Sequence, residues 1–480
     1  LRRFVPVRVE IDRRPIWIII ASLALRPLFF ILLALGFLGL LSLPLPEGLG
    51  PEGMKAIAVF LLCLVLWVSN AVPVAITGLF AIVLVPLLGI LPRSSTYSLF
   101  GNEAVFFILG AFILSGAVMQ SGLSNRVALR LMERYGGSPR SLVISIFLLA
   151  ASLSFIMSEH AVAAMLFPIV LEISKSLKLR PGESNYGKLL FFALAWGSVI
   201  GGVGTFLGGA RVPLAMGILK ETTGQTIGFL DYTVAVAPLV VVLLVVGYVV
   251  LTRFFPIDVK GVESAHEVIV RRARALGKVR PREYAVGFIL FVTILLWMTL
   301  GKTVGLAAIA LVSVMALFVL KLVKWREIEE YVNWGVILMY GGAIILGTAL
   351  DRSGAARWMV EAVMTHWAHT PVTVFAVFSL LAILLTESMS NAAVIAVLLP
   401  VSIGMAGSMN MSAEVFTYAV AVPAGLAFML PMSTPANAIA VSSDYITVGD
   451  MAKGGVIMFI TSWVTFNLVA HFYWPLVGLG

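Results

Sequence analysis

Two short polar stretches interrupt long apolar runs of this chain, 232 residues apart, and any chemistry it performs must centre on them. The first reads Met157-Ser158-Glu159-His160 and the second Met389-Ser390-Asn391-Ala392. The same offset carries 110–114 onto 342–346, Ser121-Gly122 onto Ser353-Gly354, and Pro168 onto Pro400. Ser and Asn are residue types that cap helix starts. A helix that begins at membrane depth presents unpaired N–H groups and the positive end of its dipole, which attract an anion. One that ends there presents free carbonyls, which suit a small cation such as Na+. Broken hydrophobic segments at matching places in two halves point to the binding site of a secondary transporter.

The elements that position these stretches follow from composition. The chain is 60% hydrophobic and 12% charged. A soluble protein carries about 25% charged residues, so an all-α polytopic membrane protein is predicted. Outer-membrane barrels alternate polar and apolar residues, whereas the apolar runs here are continuous and helix-length. The single Cys63 supports no disulfide framework. The formal charge of +9 is what cytoplasmic loops collect, and no nucleic-acid-binding motif accompanies it. The glycine-rich stretch 201–209 lacks the Lys-Ser/Thr of a phosphate-binding loop, which argues against ATP-driven transport. No organic cofactor is expected.

A span needs roughly 20 apolar residues. Eleven are predicted: 27–45, 54–70, 73–92, 102–121, 187–201, 232–252, 284–300, 303–323, 333–350, 414–429 and 454–476. Two further stretches, 140–178 and 371–408, are too long for one helix and broken near the middle, so each is read as a re-entrant hairpin with its polar tip buried in protein. With residues 1–26 as a cytoplasmic tail, the cytoplasmic segments hold 26 of the 33 Lys and Arg. The first half (27–252) then has a cytoplasm-facing hairpin and the second (283–480) an exterior-facing one. The linker 253–282 joins two halves of inverted topology.

These motifs resemble the divalent-anion/sodium symporter family, over nearly the whole chain. That family has Ser-Asn-Thr at each hairpin tip and a Pro-Pro-Asn loop breaking a later helix in each half. Leu385-Thr386-Glu387-Ser388-Met389-Ser390-Asn391 and Pro431-Met432-Ser433-Thr434-Pro435-Ala436-Asn437 keep most of the pattern. The resemblance implies a plasma-membrane homodimer of elevator type, each protomer having a scaffold and a moving transport domain, that carries a small divalent anion. It implies a Na+ site at Thr386, the Met389 carbonyl, Asn391 and the Ser433 carbonyl. It also implies a substrate site around Ser158, Glu159, His160, Gly209, Ser390, Asn391, Ala392, Thr434 and Pro435.

The first half departs from the pattern. Its tip reads Ser158-Glu159-His160, and Gly209, Ala210, Arg211 and Val212 stand where a small polar residue, two prolines and Asn belong. Ser154, Ser158 and Gly208 match the family's other Na+ site, but its Asn ligand has become Glu159. The substrate-side threonines have become His160 and Ala392. A lone Arg or Glu at membrane depth costs about 2.5–3.5 kcal/mol, so such residues pair. One reading makes Arg211, paired with Glu159, a permanent substitute for one Na+, leaving a less Na+-dependent carrier or an exchanger. A second makes Glu159 or His160 a proton-coupling group. A third makes Arg211 a bidentate ligand of the anion. Dicarboxylates or citrate lead as cargo, with sulfate or another oxyanion as the alternative. A hydrolase built on Ser158 and His160 is disfavoured, because residues two apart on a helix do not face each other.

Overall fold

The computed structural model describes residues 16–367, 370–409 and 411–479. Residues 1–15 of the expected tail lie outside the described residues. Every described element is helical. A first unit runs to Glu47 and holds α1 (Ile16–Ser42); Gly48–Gly480 forms the second.

In the second unit the helices are α2 (Pro51–Ser69), α3 (Val74–Leu87), α4 (Arg93–Leu99), α5 (Glu103–Ser121), α6 (Leu123–Tyr135), α7 (Pro139–Ser154), α8 (Glu159–Ser176), α9 (Asn185–Val203), α10 (Arg211–Thr223) and α11 (Phe229–Phe254). After the connecting α12 (Glu263–Ala275) come α13 (Pro281–Val304), α14 (Leu306–Val319), α15 (Trp325–Ile328), α16 (Trp334–Arg352), α17 (Ala355–Trp367), α18 (Pro371–Leu385), α19 (Asn391–Ser408), α20 (Ala413–Ala421), α21 (Pro435–Val441) and α22 (Val448–Leu468).

The two series of ten run in step. Helices beginning at Val74, Arg93, Leu123, Pro139 and Glu159 have counterparts beginning 232 residues later, at Leu306, Trp325, Ala355, Pro371 and Asn391. Packing repeats with the partners exchanged. α3 lies on α16 as α14 lies on α5, and α8 lies on α21 as α19 lies on α10. Local chemistry sets the starts: proline, which has no N–H to lose, opens α2, α7, α13, α18 and α21. Side-chain oxygens of Asn102, Ser184, Asn333, Thr370 and Thr447 cap α5, α9, α16, α18 and α22.

Burial sorts the helices. In α9, 94% of the apolar window is enclosed, against 22% in α13. With Phe288 and Phe291 largely exposed, α13 carries the apolar outer face that lipid would cover, whereas α9 lies at the centre. Among the described residues nine helices are long and apolar enough to cross a membrane, with four shorter apolar ones. The expectation of eleven spans therefore needs correcting in detail. The segments at 73–92 and 303–323 are shorter helices, α3 and α14. The segment at 414–429 is no single helix: α20 stops at Ala421 and a tight 3-10 turn at Pro423–Gly425 follows, because proline removes the N–H that would continue the ladder. The second arm of the 371–408 stretch, α19, is itself among the nine.

Candidate functional site

Four breaks make up the candidate site: 155–158 between α7 and α8, 204–210 between α9 and α10, 386–390 between α18 and α19, and 422–434 between α20 and α21. Each pair of breaks is drawn together by backbone and side-chain bonds.

In the first half, the Glu159 N–H, an otherwise free donor at the start of α8, donates to Gly208 O at 3.0 Å. Thr205 Oγ1 donates to Phe155 O at 2.8 Å. A Cβ on Gly208 would strike the Gly202 backbone and one on Gly201 would strike Ala151; the glycine run exists for this close approach. Arg211 opens α10, yet its guanidinium folds back, and Nη2 donates to Gly202 O at 2.6 Å, in the last turn of α9. A cation is disfavoured at a helix start and favoured at a helix end, so the fold-back moves the charge to the better pole. Nη1 lies 3.7 Å from Glu159 Oε2. Both side chains are almost fully buried, and Arg211 Nε, Arg211 Nη1 and Glu159 Oε2 make no hydrogen bond. The ion pair is a close approach rather than a closed bidentate pair. Ser154 is buried with its Oγ unpartnered, and Gly209 abuts Arg211 Nη1.

Ser158 occupies the cap position of α8 without capping it. Its Oγ lies 3.3 Å from His160 Nε2. The expectation that these two side chains stay apart was wrong, because Ser158 has extended backbone angles and sits outside the helical spacing rule. Both line a cavity of about 520 Å³ whose other wall is α5 (Phe112, Ser115) and the segment at Asn333 and Trp334.

In the second half neutral oxygens surround Thr386. Thr386 Oγ1 lies 2.8 Å from Asn391 Oδ1 and 2.8 Å from Ala424 O. One hydroxyl proton can serve only one of them, which leaves lone pairs of the kind a hard cation takes. Ser390 Oγ accepts from Ala393 N–H at 3.3 Å, and Thr434 Oγ1 caps α21 through Asn437 N–H at 3.2 Å, with Pro435 at its first position. Asn437 Nδ2 donates to Ala427 O and Ser433 Oγ, both at 3.1 Å. Its Oδ1 is fully buried and unpartnered. Met389 and Ala392 are buried at the tip. The halves meet where the Arg211 guanidinium packs against Gly425, leaving no room for a Cβ.

Sequence reasoning passed over Gly202, Gly425 and Ala424, gave Asn437 no role beyond its motif, and left Glu387 divided between structural hydrogen bonding and function. Glu387 was the detectable one: it is an acidic residue in the middle of an apolar stretch, the signal that singled out Glu159.

Comparison with known proteins bears on the family and the fold. The sodium:sulfate symporter transmembrane region matches residues 25–479. A sodium-dependent dicarboxylate transporter, SdcS, of Staphylococcus saprophyticus is 27% identical over 95% of this chain and 91% of its own length. A Staphylococcus aureus SdcS is 28% identical over the same shares. Two solved structures share the fold at low identity. The Alcanivorax borkumensis YdaH transporter has a TM-score of 0.53 and 15% identity, covering 80% of this chain and 88% of that one. Neisseria gonorrhoeae MtrF has a TM-score of 0.54 and 14% identity, covering 89% and 96%. With broken, oxygen-lined helix ends in both halves and a family match over nearly its whole length, the chain belongs to the sodium:sulfate symporter family and is a multi-pass membrane transporter.

Proposed function

We propose that this protein is a secondary carrier of small divalent anions, most favourably di- or tricarboxylates, in which the first cation site is permanently filled by Arg211. The observation that carries this is the guanidinium at the carbonyl end of α9, bonded to Gly202 O and facing Glu159. A covalently attached cation cannot dissociate, so this half can draw no energy from an ion gradient. The second half, with Thr386, Asn391 and the carbonyls of Met389 and Ser433, holds the exchangeable Na+. Dependence on Na+ is then single-ion and shallow, or gives way to anion exchange.

The exchanged packing partners support two halves of inverted topology, with re-entrant hairpins at α7–α8 and α18–α19. On this reading the hairpins belong to a transport domain that moves against a scaffold, elevator fashion, in a homodimer, with the N-terminus cytoplasmic. The anion lies between the two tips, near Ser158, His160, Gly209, Ser390, Ala392 and Thr434. Sulfate or another oxyanion is the second reading, favoured by His160 and Ala392 standing in place of the threonines. The test is thermal stabilisation of purified protein by dicarboxylates, citrate and sulfate, each with and without Na+. Stabilisation by a dicarboxylate that rises with Na+ as a one-site curve is expected; a steep multi-ion curve would sink the substitution.

A further inference from the structure

Glu387 is 3% exposed, and among the described residues no Lys or Arg pairs with it. Its carboxylate instead gathers three consecutive backbone donors of the 422–434 break. Oε1 accepts from Phe428 N–H at 2.7 Å and Met429 N–H at 3.0 Å, and Oε2 accepts from Met429 N–H at 3.1 Å and Leu430 N–H at 3.0 Å. Successive N–H groups turned to one point form an anion-binding nest, and here the anion is the chain's own.

The first half ties the same positions with the same polarity but a single bond. Phe155 stands 232 residues before Glu387, and Thr205 stands 224 before Met429, the spacing between the starts of α10 and α21. There the loop donates one hydroxyl to a backbone carbonyl, Thr205 Oγ1 to Phe155 O. The second half substitutes a carboxylate and four hydrogen bonds. The residue before Glu387 is Thr386, whose hydroxyl touches Asn391 Oδ1 and Ala424 O. Drawing the Phe428 N–H to one side turns the carbonyl of the same planar peptide, Ala427 O, to the other, where Asn437 Nδ2 donates to it.

We infer that Glu387 is a positioning residue: its carboxylate folds the 422–434 break against the α18–α19 tip, and so aims the oxygens that hold the coupling cation. This deepens the reading that the second half holds Na+ and rests on it. The carboxylate touches no transported species. It acts through the loop, and its buried charge adds to the attraction for a cation nearby.

The experiment compares wild type, Glu387→Gln and Glu387→Asp as purified full-length protein. Two readouts are taken: thermal stabilisation by NaCl against KCl, and hydrogen exchange of the amides at 428–430. An amide side chain points an N–H donor at the loop's donors, so Glu387→Gln should raise the half-saturating Na+ concentration about tenfold and speed exchange at 428–430 while other segments keep wild-type rates. Glu387→Asp, which keeps the charge but withdraws it by one methylene, should fall between. Superimposable Na+ curves with unchanged exchange would overturn the inference. Should Glu387→Gln fail to fold, Glu387→Asp decides by the same two readouts. A wild type indifferent to Na+ would remove the sodium reading, while exchange at 428–430 still judges the positioning role.

Discussion

The two tips descend from one pattern and have been finished in opposite ways. At the 386–391 tip the oxygens around Thr386 are neutral while the Glu387 carboxylate is turned to the 428–430 amides, the serine caps its helix, and a threonine hydroxyl stands between two oxygens. At 154–160 the serine leaves its helix uncapped, and a buried Glu faces a buried Arg. Neutral oxygens can exchange a bound ion with water, because nothing in them is left charged when the ion departs. A Glu beside an Arg has its counter-ion attached for good. On the proposed reading, the comparison teaches that a repeat can keep its geometry while one copy gives up ion traffic.

The harshest way to break this comparison is to remove the attached cation. Arg211→Met leaves Glu159 buried without a partner, which costs about 3–5 kcal/mol and should appear as a large drop in thermal stability in detergent. Adding Glu159→Asn should restore much of the loss, and the double variant should show a steeper Na+ dependence of uptake than wild type. A stable Arg211→Met protein with unaltered Na+ dependence would show that the guanidinium replaces nothing.

A second contrast sets hydroxyl against hydroxyl. Thr386→Ala removes the oxygen between Asn391 and Ala424 and should weaken Na+-linked stabilisation about tenfold or more. Ser154→Ala, in the first half, removes a buried oxygen that bonds nothing, and should leave the Na+ curve in place. Equal effects would mean that both halves handle ions.

How far the sequence foretold this depends on which force set each feature. Helix existence and the doubled pattern were legible, because apolar runs and the repeated breaks at Ser158 and Ser390 are local signals. Family membership followed from the same residues. The break after Ala421 was misread as part of one span, since 418–429 is an apolar run and only Pro423 and Gly425 mark the turn. Contacts across the molecule left weaker traces. Gly425 is glycine because an Arg 214 positions earlier lies against it, and no periodicity encodes that. The Ser158–His160 contact was missed because a helical spacing rule was applied across a helix boundary.

Gly425→Ala tests the junction between the halves. The added methyl would overlap the Arg211 guanidinium, and overpacking of this kind costs about 1–3 kcal/mol. The cost should shrink in the Glu159→Asn, Arg211→Ala background, where the space is vacated, and a thermal-unfolding double-mutant cycle measures the difference. Additive effects would separate the two residues.

The smallest expected effect bears on the caps. Ser390 Oγ accepts from Ala393 N–H, so Ser390→Ala removes a capping bond worth about 1 kcal/mol. Ser158 stands at the matching position but spends its hydroxyl on His160. Ser158→Ala should therefore cost α8 almost nothing in stability, even though the position is equivalent by the repeat. Its effect should fall on anion binding, because Ser158 and His160 face the cavity together. A stability loss at Ser158 equal to that at Ser390, with anion affinity untouched, would mean that both serines are structural caps and that the tips differ only in charge.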